Sequence, residues 1–184
     1  LIQESSSFIE KNPIQKKKNV KPRMVLDPTT NTKKPVIYTD LSFIPYNYTT
    51  RNESNRDIVI ELPNVIDYYL KKIKPENSVY ILGRYTYDIK IFDDKQIIYD
   101  INEDKTYVMV GNRKIQYLTV HSSKGLEADY VFLINCNSGI YGFPSMISDD
   151  PILDIVLSKS DDYPYGEERR LFYVALTRTK NYVY

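Results

Sequence analysis

Hydrophobic positions along the chain change period several times, and each change marks an expected element. Ile2, Ser5 or Ser6 and Ile9 recur at helical spacing with no capping residue ahead of Leu1, so a helix is expected to enter from upstream and to stop at Asn12-Pro13. Val36 to Thr39 reads as a short strand leading into a polar loop around Tyr46 to Asn55. Asp57 to Ile73 follows a helical period, with Pro63 expected in an early turn, Lys71, Lys72 and Lys74 at the C-terminal end, and Pro75 closing it. Short β-rich runs follow at Val79 to Leu82, Ile89 to Phe92, Ile97 to Ile101, Tyr107 to Val110, Gln116 to Val120 and Tyr130 to Asn135. A last helix is expected over Gly166 to Thr179, with Leu171, Val174, Ala175 and Arg178 on one face, before a strand at Val183-Tyr184.

Two of the β runs, Val79-Tyr-Ile-Leu82 and Tyr130-Val-Phe-Leu-Ile134, are continuously apolar, as strands buried on both faces of a parallel sheet are. The runs between them are more polar and separated by short turns, which suits a small antiparallel excursion. The fold class expected is therefore α/β. At 184 residues the chain can bury one core, and a single domain is expected. Both ends read as cut from a longer polypeptide, and no internal repeat is visible.

Composition narrows the partners. Lys and Arg number 25 against 24 Asp and Glu, so no global field drives the chain onto an anion and any such binding depends on local placement. The basic run Lys16, Lys17, Lys18, Lys21 and Arg23 reads as a solvated loop in preference to a phosphate contact. The single Cys136 lies in an apolar run, which suggests packing and a reducing compartment. No apolar stretch reaches membrane-spanning length and no signal-peptide layout is present, so a soluble cytoplasmic protein is expected, with no membrane partner.

Candidate chemistry gathers late in the chain. After the strand ending at Val120 comes a polar turn with the only histidine, His121, then Ser122, Lys124, Gly125 and Glu127. Ligands of α/β sheets collect beyond the carboxyl ends of strands. Thr119, His121 and Ser122 can bond phosphate or sugar oxygens, Glu127 can accept from a ribose hydroxyl, and Gly125 permits close backbone approach. On the last helix Glu167 and Glu168 favour the first turn and Glu167 can pair with Arg170. Arg178, on the apolar stripe, needs an anion: a phosphate held by a neighbouring domain, or a structural carboxylate such as Asp161 or Asp162.

Taken whole, Thr119-Val-His-Ser-Ser-Lys-Gly-Leu-Glu127 resembles motif V, and Glu167-Glu-Arg-Arg-Leu-Phe-Tyr-Val-Ala-Leu-Thr-Arg178 resembles motif VI, of superfamily-one helicases of the UvrD, Rep and PcrA type. Ile81-Leu82-Gly83-Arg84 is similar to the strand and arginine that precede motif V, and Leu1 to Lys18 to the helix after motif IV. The resemblance implies a second RecA-like motor domain filling residues 1–184, a fragment of a larger helicase. It implies Arg178 as an arginine finger on the γ-phosphate, Glu127 and Gly125 at the nucleotide ribose, and Arg84, Thr119 and His121 on single-stranded DNA. It also implies ATP and Mg2+ in the intact enzyme, held mainly by an N-terminal RecA-like domain, and no metal site in this chain.

Departures from the family pattern shape these expectations. Neither the Gly-rich phosphate loop nor the Asp-Glu pair for magnesium is present, so the isolated chain is expected not to hydrolyse ATP. Thr86 stands where the family shows an asparagine. Residues 88–117 have room only for a short β-rich insertion in place of a large helical subdomain, which resembles the helicase-IV-like branch. Two other readings remain open at this stage: the motor part of a helicase-nuclease, and a non-catalytic DNA- or partner-binding module, against which the few aromatic platforms placeable near motif V argue.

Overall fold

The computed structural model describes Lys11 and residues 56–137, 140–145 and 165–184. The helix expected at the start, the basic run, the strand at Val36 to Thr39 and the residues Asp161 and Asp162 lie outside the described residues.

The described elements are α1 (Arg56–Leu70), β1 (Val79–Gly83), tight 3-10 turns over Thr86–Ile91 and Asp94–Gln96, β2 (Ile97–Asp100), β3 (Lys105–Val110), β4 (Arg113–Thr119), β5 (Ala128–Leu133), α2 (Gly166–Leu176) and β6 (Thr179–Val183). They build a six-stranded sheet in the order β2-β3-β4-β1-β5-β6. β4, β1, β5 and β6 run parallel, while β2 and β3 pair antiparallel and join β4 as a meander. The result is the expected α/β architecture, with a mixed sheet.

The continuously apolar runs occupy interior positions, β1 and β5, as full burial requires. Alternation along β1 divides the core: Val79 and Ile81 join Leu62, Ile66 and Leu70 of α1, while Leu82 joins Leu171, Ala175 and Leu176 of α2. The polar middle runs form the edge, and their last strand, β4, is a parallel partner of β1. The antiparallel excursion is thus an extension of the main sheet.

Three boundaries differ from expectation for local reasons. Ile89 to Phe92 is not a strand, because the Asp88 carboxylate accepts from the Tyr85 amide at 2.8 Å and closes a tight turn there. Pro63 falls at the eighth position of α1, inside the helix, where it donates no backbone bond. The last helix stops at Leu176, with Thr177 donating to the Val174 carbonyl at 2.9 Å, so Arg178 sits beyond the helix at the mouth of β6.

Gly83, at the end of β1, is closely surrounded. A β-carbon there would lie 2.2 Å from the Tyr117 hydroxyl and 2.9 Å from the Asp88 β-carbon. That hydroxyl donates to the Tyr85 carbonyl at 2.5 Å, and Asp88, fully buried, also accepts from the Asn135 amide at 3.0 Å. Gly83→Ala is therefore expected to lower stability by about 1–3 kcal/mol through overpacking. Combined with Tyr117→Phe it should lose less than the two single changes added together, because the hydroxyl is the nearest obstacle. Urea denaturation of the four proteins checks both statements.

Candidate functional site

The expected site residues separate onto two opposite edges of the sheet. Thr119 pairs with Gly83 in the β1–β4 register, and the Val120 amide donates to the Gly83 carbonyl at 2.9 Å, so Arg84, Thr119 and His121 share the carboxyl edge. Residues 120–127 then run back along the sheet, and the Asp129 amide donates to the Ser78 carbonyl just ahead of β1. Gly125, Glu127 and Arg178 therefore lie at the amino edge. Five residues of β1 separate the edges, roughly 16 Å at the usual strand rise. The expectation that the whole stretch from Thr119 to Glu127 sits beyond the carboxyl ends holds only for its first part.

At the carboxyl edge, Thr119 and Ser122 organise the turn. The Ser122 amide donates to Thr119 Oγ1 at 3.1 Å, and Ser122 Oγ donates to the Thr119 carbonyl at 3.0 Å. Ser123 is buried and donates to the Val120 carbonyl at 2.7 Å. His121 stays on the surface. Its pKa is pulled below the ordinary 6.5, first by partial burial of the imidazole and then by the charges of Arg84 and Lys124. The neutral ring therefore persists to lower pH than in a free histidine.

Arg84 is tied down more firmly than its sequence context suggests. Its Nε lies 3.0 and 3.1 Å from the two Glu168 oxygens, and its Nη2 lies 2.7 Å from Oε1. The same carboxylate accepts from the Ser145 amide at 3.0 Å. The Tyr85 ring lies 4.6 Å from the guanidinium carbon, and its hydroxyl bonds Ser145 Oγ at 2.7 Å. Tyr87 stacks on Tyr85 with centroids 4.8 Å apart and meets Tyr141 edge-on at 6.3 Å. Aromatic surface beside motif V is thus richer than the sequence reading allowed. Tyr85 and Tyr87 were available as a Tyr-x-Tyr signal, whereas Tyr141, Ser145 and Glu168 are too distant along the chain to be linked to them by spacing.

At the amino edge the Arg178 side chain is held only by neutral oxygens among the described residues. Nε donates to the Val174 carbonyl at 3.0 Å, Nη1 to the Leu126 carbonyl at 3.2 Å and Nη2 to Thr177 Oγ1 at 3.1 Å. Its own carbonyl receives the Ala128 amide at 2.9 Å, so contacts to Arg178 bracket the exposed Glu127 on both sides. Gly125 adopts a φ of +85° with open space around it, a conformation that favours glycine. The Glu167 to Arg170 pair forms at 2.7 Å on the surface, as its spacing suggests. No group of three or more His, Cys, Asp or Glu side chains suited to a metal ion occurs among the described residues.

Residues 95–184 match the model of the UvrD-like helicase C-terminal domain. Over 180 residues the chain is 29% identical to DNA helicase IV of Escherichia coli K12, an alignment covering 98% of this chain and 22% of that protein. A 68-residue stretch is 46% identical to a probable DNA helicase II homolog of Mycoplasma capricolum, covering 37% of this chain and 8% of the relative. A 96-residue stretch is 30% identical to the ATP-dependent DNA helicase PcrA of Staphylococcus epidermidis, covering 52% of this chain and 11% of that protein. The chain thus spans 22% or less of each of these relatives. No solved structure matches it.

Because His121 is the chain's only histidine, its ring protons give a single titration curve by NMR. The midpoint is expected below 6.5, and Arg84→Ala should move it upward by removing a nearby positive charge. A midpoint that ignores Arg84→Ala would place the guanidinium too far from the ring to matter.

Proposed function

We propose that the chain, whose residues 95–184 match the model of the UvrD-like helicase C-terminal domain, is the second motor domain of an ATP-dependent DNA helicase. In this reading residues 1–184 form one RecA-like domain, in which the short β-rich segment 88–117 stands where larger relatives carry a helical subdomain. A first RecA-like domain of the same polypeptide holds most of the nucleotide and Mg2+. Alternate closing and opening of the two domains moves the protein along single-stranded DNA, 3′ to 5′, and separates the duplex ahead.

The observation that carries this reading is the charge state of the amino edge. Arg178 has no carboxylate partner among the described residues, where its guanidinium is oriented by carbonyl and hydroxyl oxygens that do not neutralise it. Such a cation suits the phosphates of a nucleotide bound across a domain interface. Glu127, exposed beside it, suits a ribose hydroxyl, and the open space around Gly125 lets a ligand approach the backbone. When bound, ATP supplies the phosphoanhydride whose cleavage powers movement. Arg178 offers positive charge where negative charge builds up during that cleavage.

The carboxyl edge suits the other ligand. Arg84 offers a donor to phosphate oxygens, the Thr119 and Ser122 hydroxyls can do so by turning from their bonds within the turn, neutral His121 offers a ring nitrogen, and Tyr85, Tyr87 and Tyr141 offer ring surface for unpaired bases. None of these reads sequence. Binding at this edge is therefore expected to depend on salt and hardly at all on base identity.

In the full-length protein, Arg178→Ala is expected to reduce DNA-stimulated ATP turnover by at least ~10³-fold while nucleotide affinity changes only a few-fold. Steady-state turnover and equilibrium nucleotide binding, measured side by side, check this. Turnover that survives the change would reduce Arg178 to a structural clamp between α2 and Leu126 and remove the motor reading.

A further inference from the structure

The ion pair between Arg84 and Glu168 joins the end of β1 to the first turn of α2, residues 84 positions apart in the chain. Both side chains are largely withdrawn from water, at 17% and 12% exposure. Exposed pairs of this kind contribute little, but a desolvated two-point fork fixes the plane of the guanidinium. Three contacts engage Nε and Nη2, and Nη1 donates to no described residue. The carboxylate is itself fixed by the Ser145 amide, and the Tyr85 ring packs against the guanidinium.

We propose that Glu168 is a positioning residue for the DNA contact at Arg84: from behind, on α2, it sets the guanidinium so that the Nη1 side, which bonds no described residue, faces a strand phosphate at the carboxyl edge. This rests on the motor reading given above. The pair then acts as an oriented dipole, with its carboxylate anchored to α2 and Ser145 and its positive end toward the turn that holds Thr119 and His121. The balance of charge felt at His121 agrees, since Arg84 ranks ahead of Glu168 among the groups that shift it. An arginine has enough donors to serve a carboxylate and a phosphate together, and pre-setting its plane removes rotamer freedom that binding would otherwise have to freeze.

A competing arrangement gives the opposite result and can be told apart. If Glu168 instead only neutralised Arg84 or competed with DNA for it, Arg84 would matter more to DNA once Glu168 lost its charge. If Glu168 positions Arg84, Arg84 matters less.

The experiment is a double-mutant cycle on the full-length protein, with single-stranded oligothymidylate as the probe and affinity measured across a salt series. Arg84→Ala in the otherwise unchanged protein is expected to weaken binding about tenfold, the loss of one charge-assisted phosphate contact. In a Glu168→Gln background the same change is expected to cost no more than about twofold, because the guanidinium is no longer held in place. Should Glu168→Gln fail to fold, as judged by circular dichroism and thermal melting, Glu168→Asp serves instead. It keeps the charge on a shorter stem and should likewise shrink the effect of Arg84→Ala. An equal or larger Arg84 effect in either background overturns the proposal while leaving the motor reading standing. Absence of salt-dependent binding by the unsubstituted protein removes the motor reading itself, and the positioning role with it.

Discussion

There is no room for a methyl group between the end of β1 and the Tyr117 hydroxyl, and the carboxyl edge is arranged around that closeness. Because residue 83 is glycine, Tyr117 can reach across it from β4 and donate its hydroxyl proton to the Tyr85 carbonyl. Asp88 fills the remaining space and, with no exposed surface of its own, ties the turn after β1 to Asn135 beyond β5. Burial, with the Asp88 charge nearby, raises the Tyr117 pKa, so its hydroxyl keeps its proton and remains a donor. Three strands are thereby joined at one edge by hydrogen bonds rather than by further apolar burial. Arg84 and Tyr85 emerge from this knot, and their positions follow from it.

The two arginines show how surroundings assign different work to one side chain. Arg84 is matched by a carboxylate, so it is nearly neutral as a unit, and what the fold provides there is orientation. Arg178 is matched, among the described residues, by carbonyl and hydroxyl oxygens alone, which set its direction without neutralising its charge. On the motor reading, a strand of DNA would need many modest contacts that can be made and broken. A γ-phosphate needs one strong contact delivered at one place. In the proposed reading, the separation of these environments by the length of β1 would keep the two anions from competing for either site.

Much of this was legible in the sequence where local signals are strong. The apolar runs at Val79 and Tyr130 could only be interior strands, and the motif strings carried the resemblance to UvrD-like helicases that residues 95–184 also show. The reading of Ile89 to Phe92 as a strand failed because apolar residues at 89, 91 and 92 fit both a short strand and a buried tight turn, and the deciding group was a carboxylate one residue earlier. Arg178 was placed on a helix because its periodicity continues that of Leu171 and Val174, although Thr177 ends the helix first. The split of one motif between two edges was invisible, since no periodicity records where a chain reverses direction. The pairing of Arg84 with Glu168 was equally hidden, because tertiary packing alone brings such distant positions together.

α2 runs from the Glu168 contact at one edge to the threshold of Arg178 at the other, eleven residues and about 16 Å at the rise of an α-helix. Its length is consequently not free to drift. Adding or removing one residue would turn everything beyond it by about 100° and slide it by about 1.5 Å, so that if Glu168 kept its partner, Arg178 would lose the Leu126 carbonyl. Insertions are tolerated where the chain loops over the surface, and variation in length should collect there. The span between Glu168 and Arg178 behaves instead as a fixed gauge, and lineages that change its residue count should be found to have given up one of the two contacts it measures off.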